Sequence, residues 1–220
     1  RDTQAMRVLD ILALEEVPPK NRPVAYELLA GALSRFGRLD HPGLARVFGT
    51  ARSETADAFA LVSEYIEGQS VDQIALARGS DRDAPLDNQT LVGLLGIVEQ
   101  LAATLGWLHR QGIVHGRVKS TNVILEVDRG EPRVRLLDLV WSRAGFGRLL
   151  AGSRREGAPE QIAGASASAA SDQWSLAKLT SDLIVGATDG TSPTRALTRA
   201  PLALLRVLRR ALEDDPARRY

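Results

Sequence analysis

Cysteine is absent from the 220 residues, and histidine occurs only three times. Without thiols the chain has no disulfide framework, no thiolate zinc site and no cysteine nucleophile. Three histidines leave little for a histidine-rich metal centre. An excess of charge of either sign is also missing. Lys and Arg total 28, Asp and Glu total 27, and the formal net charge is +1. That balance excludes a strongly basic nucleic-acid binder and an acidic disordered tail as defaults, so no nucleic-acid partner is expected. No run of about 18 apolar residues occurs, so no membrane contact is expected from this chain, and a cytoplasmic location is the expectation. The chain opens at Arg1 on a polar stretch without a leader pattern, and an upstream segment is left open.

The composition is otherwise ordinary for a globular protein: 44% hydrophobic and 25% charged. Such a length buries a sizeable core and makes one large domain or two small lobes. Residues 5–9 (AMRVL) read as a short strand, and Pro18, Pro19 and Pro23 as punctuation of a loop. Residues 24–38 carry Leu28, Leu29, Ala32, Leu33 and Phe36 at helical spacing. Residues 44–49 and 59–65 then read as strands joined by a polar hairpin at 53–57. A short helix follows at 72–77, and a turn-rich loop at 79–88. The longest periodic stretch is 91–110, with Leu91, Leu94, Leu95, Val98, Leu101, Ala102, Leu105 and Leu108 on one face. Strands are expected at 123–127 and 134–137, a Gly/Ala/Ser/Arg-rich loop at 145–168, and helices at 171–185 and 201–213, the last ended by Asp215-Pro216. Trp107 and Trp174 fall in helical stripes and read as core.

Several short motifs stand in a telling order. Residues 115–122 read HGRVKSTN, 136–140 read LLDLV, 158–160 read APE, 171–176 read SDQWSL and 215–219 read DPARR. Earlier, 39–47 read LDHPGLARV and 59–68 read FALVSEYIEG. This order resembles the eukaryotic-type Ser/Thr protein kinases in their bacterial branch, whose signature is HRDLKxxN, then DFG, then APE. The resemblance covers nearly the whole chain. It implies an α+β, two-lobed fold, with a small sheet lobe over 1–67 and a larger helical lobe over 68–220. Residues 186–201 look abbreviated where the family holds a substrate-docking helix.

The resemblance also marks where the family's chemistry has changed. The catalytic-loop aspartate, which accepts the substrate hydroxyl proton, is replaced by Arg117. A guanidinium has no acceptor and stays charged, so it cannot be that base. The preceding arginine is Gly116. The strand lysine that holds the nucleotide phosphates falls near Arg7, and its partner glutamate on the regulatory helix falls near Ala32, with Glu27 five residues away. No glycine-rich loop precedes Arg7 in this chain. Ser63 takes the gatekeeper position, with Glu64 and Ile66 along the hinge. Lys119 matches the catalytic-loop lysine, and Asn122 and Asp138 match the two magnesium-binding positions, whose oxygens suit a hard cation. Phe-Gly of the third motif is Leu139-Val140. Leu139 can pack as the Phe does, while Val140 gives up glycine's permissive backbone and should stiffen the loop.

The scaffold positions fare better. The resemblance implies a pair between Glu160 and Arg219, an Asp172 that anchors the catalytic loop, and a structural His115. The basic set Arg206, Arg209, Arg210, Arg218 and Arg219 reads as a solvated helix face, with Arg219 set apart by its pairing to Glu160. The expectation is a pseudokinase: an inactive binding or scaffolding module that regulates a signalling protein or an active kinase. No resident cofactor is expected. Vestigial nucleotide binding at Arg7, Ser63, Glu64, Ile66, Lys119, Asn122 and Asp138, with ATP and magnesium, goes with the alternative of a weakly active Ser/Thr kinase. A further alternative makes Thr188, Thr191, Ser192, Thr194 and Thr198 phosphorylation targets that dock a phosphothreonine-binding partner. Oligomeric state is left open.

Overall fold

The computed structural model describes residues 7–13, 22–53, 58–79, 87–128, 131–144, 157–185 and 201–220. By contact the chain divides into two compact units. The first is Arg1–Ile66 with Leu137–Arg155, and the second is Glu67–Leu136 with Glu156–Tyr220. Contact thus divides the chain after Ile66 and groups Leu137–Arg155 with the first unit, whereas the sequence expectation is a single lobe boundary at 67/68.

The first unit is built on a three-stranded antiparallel sheet of order β1-β3-β2: β1 (Arg7–Ala13), β2 (Val47–Ser53) and β3 (Ala58–Glu64). β1 pairs with β3 from Arg7↔Glu64 to Ala13↔Ala58, and β2 pairs with β3 with a register shift between Val47 and Gly49. The turn expected at 53–57 lies largely outside the described residues. Helix α1 (Arg22–Phe36) starts earlier than its apolar spacing suggests. Pro23 lies in its first turn rather than in a loop, where a missing N–H costs no hydrogen bond. Its buried face is Ala25, Leu29, Ala32 and Phe36, whereas Leu28 is exposed. Gly37 closes the helix, donating its N–H to the Leu33 carbonyl at 2.8 Å. A short helix that the sequence reading placed in no element, α4 (Leu139–Ala144), packs on α1 with Leu139 and Val140 buried.

The second unit combines a small sheet with the long helices. Strands β4 (Gly68–Ser70), β5 (Val123–Asp128) and β6 (Glu131–Leu136) pair antiparallel in that order. β4 leads directly into α2 (Val71–Gly79) through a reciprocal cap. The Ser70 hydroxyl accepts the Gln73 N–H at 3.2 Å, and the Gln73 side chain accepts the Ser70 N–H at 2.9 Å. Helix α3 (Asn88–Arg110) is capped by Asp87, whose carboxylate accepts the Thr90 N–H at 2.8 Å and the Thr90 hydroxyl at 2.7 Å. Those bonds hold the Asp87 carboxyl below its ordinary range. By length and composition α3 could cross a membrane. Here it is a core helix: Leu94, Ile97, Leu101, Leu105 and Leu108 are buried, and it packs against α6 (Ala169–Val185) and β6. The Gln100 side chain joins it to the sheet, accepting the Val134 N–H at 3.0 Å and donating to the Pro132 carbonyl at 3.2 Å. Ser168 and Ser171 cap α6 reciprocally, each hydroxyl accepting the other's backbone N–H. Helix α5 (Pro159–Ile162) lies inside the stretch expected to be all loop. Helix α7 (Leu202–Ala211) buries Leu208 and Ala211 with Ala177 and Ile184 of α6. Trp107 and Trp174 are half-buried rather than core.

Candidate functional site

The loop 115–122 is held from both sides by side chains of the second unit. Asp172, fully buried near the start of α6, accepts the His115 N–H at 2.8 Å and the Gly116 N–H at 2.7 Å. The His109 ring nitrogen Nε2 lies 2.8 Å from the same carboxylate and donates to it. On the other flank, Gln161 of α5 donates from Nε2 to the Gly116 carbonyl at 2.9 Å. Gly116 has φ +78°, a left-handed backbone, and a Cβ there would stand 2.9 Å from the Ala167 Cβ. Conformation and space both call for glycine at this position.

The next residues are fixed as well. Buried His115 turns Nδ1 to the Arg117 N–H at 3.2 Å, which makes Nδ1 the unprotonated nitrogen. Asn122, in a single 3₁₀ turn over Ser120–Asn122, donates from Nδ2 to the Arg117 carbonyl at 3.2 Å. The Asn122 amide oxygen is left as an acceptor of the type a hard cation takes. The Ser120 hydroxyl donates to Asp72 at 3.1 Å. Arg117 is exposed and Lys119 half-buried.

In the first unit, Arg7 opens β1 opposite Glu64, and Ser63 pairs with Val8 and Val47. The Arg7 side chain lies outside the described ones. Glu64 is half-buried, and its carboxylate accepts the Arg46 N–H at 3.1 Å. Ile66 is buried. Asp138 has φ +71°, the one described non-glycine residue in the left-handed region. Its carbonyl accepts the Ser142 N–H at 2.8 Å, the first turn of α4. The permissive backbone is thus used at the aspartate, not at position 140. Val140 is helical and buried. On α1, Ala32 is buried and Glu27 exposed. Arg7, Ser63, Glu64, Ile66 and Asp138 thus belong to the first unit, and Arg117, Lys119 and Asn122 to the second.

The deepest charge in the second unit is Arg219. Its guanidinium makes a two-pronged contact with Glu160, 2.8 Å to each oxygen, and also donates to the carbonyls of Ala170, Glu213 and Asp214. Glu160 further accepts the Ser171 hydroxyl at 2.7 Å. Arg219 and then Ser171 hold the Glu160 carboxyl at about 2, below the ordinary 4.5, against the opposing pull of burial. Arg219 is therefore not part of a solvated basic face. Arg206, Arg209, Arg210 and Arg218 are exposed, with Arg210 over the Tyr220 ring at 4.3 Å. Thr188, Thr191, Ser192, Thr194 and Thr198 lie outside the described residues. Gln161 and His109 were missed from sequence. Their partners lie 45 and 63 positions away, and nothing local marks them.

The family model for the protein kinase domain matches residues 14–197. The chain belongs to the protein kinase family. Among its relatives, the serine/threonine-protein kinase pkn3 of Myxococcus xanthus is 27% identical over 215 residues, covering 83% of this chain and 37% of the relative. The serine/threonine-protein kinase PknB of Mycobacterium leprae is 26% identical over 162 residues, covering 67% of this chain and 24% of the relative. The crystal structure of the Mycobacterium tuberculosis PknI kinase domain superposes with a TM-score of 0.69 at 25% identity, over 97% of this chain and 80% of that one. This kinase domain thus spans well under half the length of these two curated relatives. The fold is the expected α+β protein-kinase fold, with a small sheet-bearing unit and a larger helical one. Kinases of this family generally use ATP and magnesium. When bound, the ion offsets phosphate charge during phosphoryl transfer. Asn122 and Asp138 each carry a donor oxygen of the right kind, but Arg117 offers nothing that can accept a substrate proton.

Proposed function

We propose that this kinase-family domain is a pseudokinase, a binding or scaffolding module that regulates a signalling protein or an active kinase. The observation that carries the reading is Arg117 within an otherwise well-anchored catalytic loop. Asp172, His115, Gln161 and Asn122 hold that loop, yet the residue at the base position is a cation. A positioned base contributes roughly 10²–10⁴-fold to such a reaction. A second support is the buried Ala32 on α1, at the place the resemblance assigns to the nucleotide-aligning glutamate; α4 packs on the same helix.

The test is phosphoryl transfer from labelled ATP by the purified chain, with magnesium or manganese and a generic protein substrate. No transfer above a heat-denatured control is expected. Magnesium-dependent autophosphorylation that disappears in Asp138→Ala overturns the reading. The Asn122 amide oxygen favours a second reading, in which nucleotide still binds with little or no turnover. A thermal shift with ATP that requires magnesium and is lost in Asn122→Ala supports it.

A further inference from the structure

We propose that the outward face of α7 is a docking strip for an acidic, leucine-bearing segment of a protein partner, with Arg206 and Arg209 as its anchors and Leu202 and Val207 as its apolar contacts. The inference goes beyond the pseudokinase reading and does not depend on it, since it holds whether or not the domain transfers phosphate.

The strip follows from how α7 divides its residues. Leu205, Leu208 and Ala211 face inward and are buried, the last two against Ala177 and Ile184 of α6. The outer face shows Leu202, 76% exposed, and Val207, 48% exposed, beside Arg206, Arg209 and Arg210. An exposed leucine alone means little. Here it shares a surface with charge of one sign: residues 190–212 hold five arginines and no acid, in a chain whose net charge is only +1. Arg210 is engaged, donating to the Arg219 carbonyl at 3.3 Å and lying over the Tyr220 ring. Arg206 and Arg209 are both exposed and stand three residues apart, as neighbours on the helix surface. Among the described residues neither meets a carboxylate. Arg209 lies in the last turn, where a cation offsets the helix dipole; Arg206, earlier in the helix, gains little from that.

The chemistry favours a protein segment over a phosphate-rich surface. A guanidinium fork matches a carboxylate through two parallel N–H bonds. The helix that carries the forks is short, since its ten residues span only about 15 Å. Exposed Glu213, Asp214 and Asp215 follow it directly. That acidic border would repel a nucleic-acid backbone or an anionic bilayer laid across the face, whereas a short acidic segment ends before reaching it. Leu202 and Val207 give the segment's leucines apolar surface to cover, which a phosphate backbone would leave unused.

The test measures anisotropy of a fluorescein-labelled Gly-Glu-Leu-Glu-Glu-Leu-Leu-Glu-Gly peptide against the full chain, beside a twin with glutamine for each glutamate. The acidic peptide should bind at least about tenfold more tightly than its twin, and more weakly as salt is raised. The double variant Arg206→Gln/Arg209→Gln should lose about tenfold, and Leu202→Ser about threefold. Arg110→Gln, at an exposed arginine ending α3, should change nothing. Arg206→Glu/Arg209→Glu should instead prefer a peptide with lysine for each glutamate, a reversal that a purely structural role for the arginines would not produce. Thermal melts of each variant separate lost binding from lost fold. Equal binding of peptide and twin, no binding of either, or a folded Arg206→Gln/Arg209→Gln variant that binds like the parent each overturn the inference. So does binding to phosphatidylserine-containing vesicles or single-stranded DNA without binding to the peptide, which would assign the face to phosphate instead.

Discussion

Two regions of this domain stand where the kinase family places an ion pair, and they have gone opposite ways. Around α5, the start of α6 and the C-terminus, the pair is kept and surrounded: Glu160 and Arg219 meet through both oxygens, and three carbonyls and a serine hydroxyl fill the remaining valences. On α1 the resemblance puts the family's glutamate near Ala32, which is buried together with Ala25, Leu29 and Phe36, and α4 packs on that helix with Leu139 and Val140 buried. The first pair holds the fold of the larger unit. The second, in the family, aligns a nucleotide. A charge pair needed for folding is costly to break on one side only, because the orphaned partner remains buried. A pair needed for chemistry can be replaced by apolar packing of similar volume with little loss of stability. The contrast supports the proposed pseudokinase reading, in which shape is kept and chemistry is not.

The largest effect should come from breaking the retained pair. Arg219→Ala leaves Glu160 and three carbonyls without their donor, and should destabilise the domain by about 3–5 kcal/mol in chemical denaturation. The same pair sets an acid limit. Glu160 has its carboxyl lowered to about 2 in the folded chain, so its contribution is complete above the unfolded value near 4.5. That contribution is lost as pH falls from about 4.5 towards about 2. Thermal melts across that window should show a decline that Glu160→Gln flattens. A decline of equal size in the variant would mean that other carboxylates carry the acid sensitivity.

The packed region should break with a smaller effect. Val140→Gly empties a buried position and puts glycine inside α4, which together amount to about 2–3 kcal/mol. The loss should be local, so hydrogen exchange should quicken in α1 and α4 while α3 and α6 keep their protection. Ala32→Glu sharpens the comparison. If α1 is held by apolar packing, a buried carboxylate there should destabilise the first unit. If the family's pairing geometry survives, the variant should be close to neutral.

What the sequence revealed follows the same division. The stripe of α3 was legible in outline because that helix buries one face over many turns, although Ala102 is exposed and Ile97 and Thr104 join the buried face; α6 was legible as a helix but is buried on several sides. The Glu160–Arg219 and Asp172 contacts were legible because the motifs that carry them are intact. The elements missed are those whose reasons are remote. β4 is three residues long and exists through pairing with β5, more than fifty positions on. Its local signal was the Ser70-to-Gln73 spacing of a reciprocal cap. Helix α4 starts at Asp138 in a left-handed backbone that the sequence does not mark, and its apolar side chains make sense only against α1. Pro23 misled in the opposite direction, because a proline in the first turn of a helix looks like a loop residue.

Gly116 offers the mildest break in the loop that these two regions flank in sequence. Its φ of +78° lies where an alanine is disfavoured by about 1–2 kcal/mol, and the new methyl would meet the Ala167 Cβ at 2.9 Å. Gly116→Ala should therefore lower stability by about that amount, with the strain centred on the bonds from Gly116 to Asp172 and Gln161. Hydrogen exchange at the Gly116 and His115 amides should quicken in the variant, while the amides around Arg219 stay as slow as before. If both regions loosen together, the loop and the Glu160–Arg219 clasp unfold as one unit. The retained pair would then be holding the loop directly, and its persistence would reflect the loop's conformation as much as the stability of the larger unit.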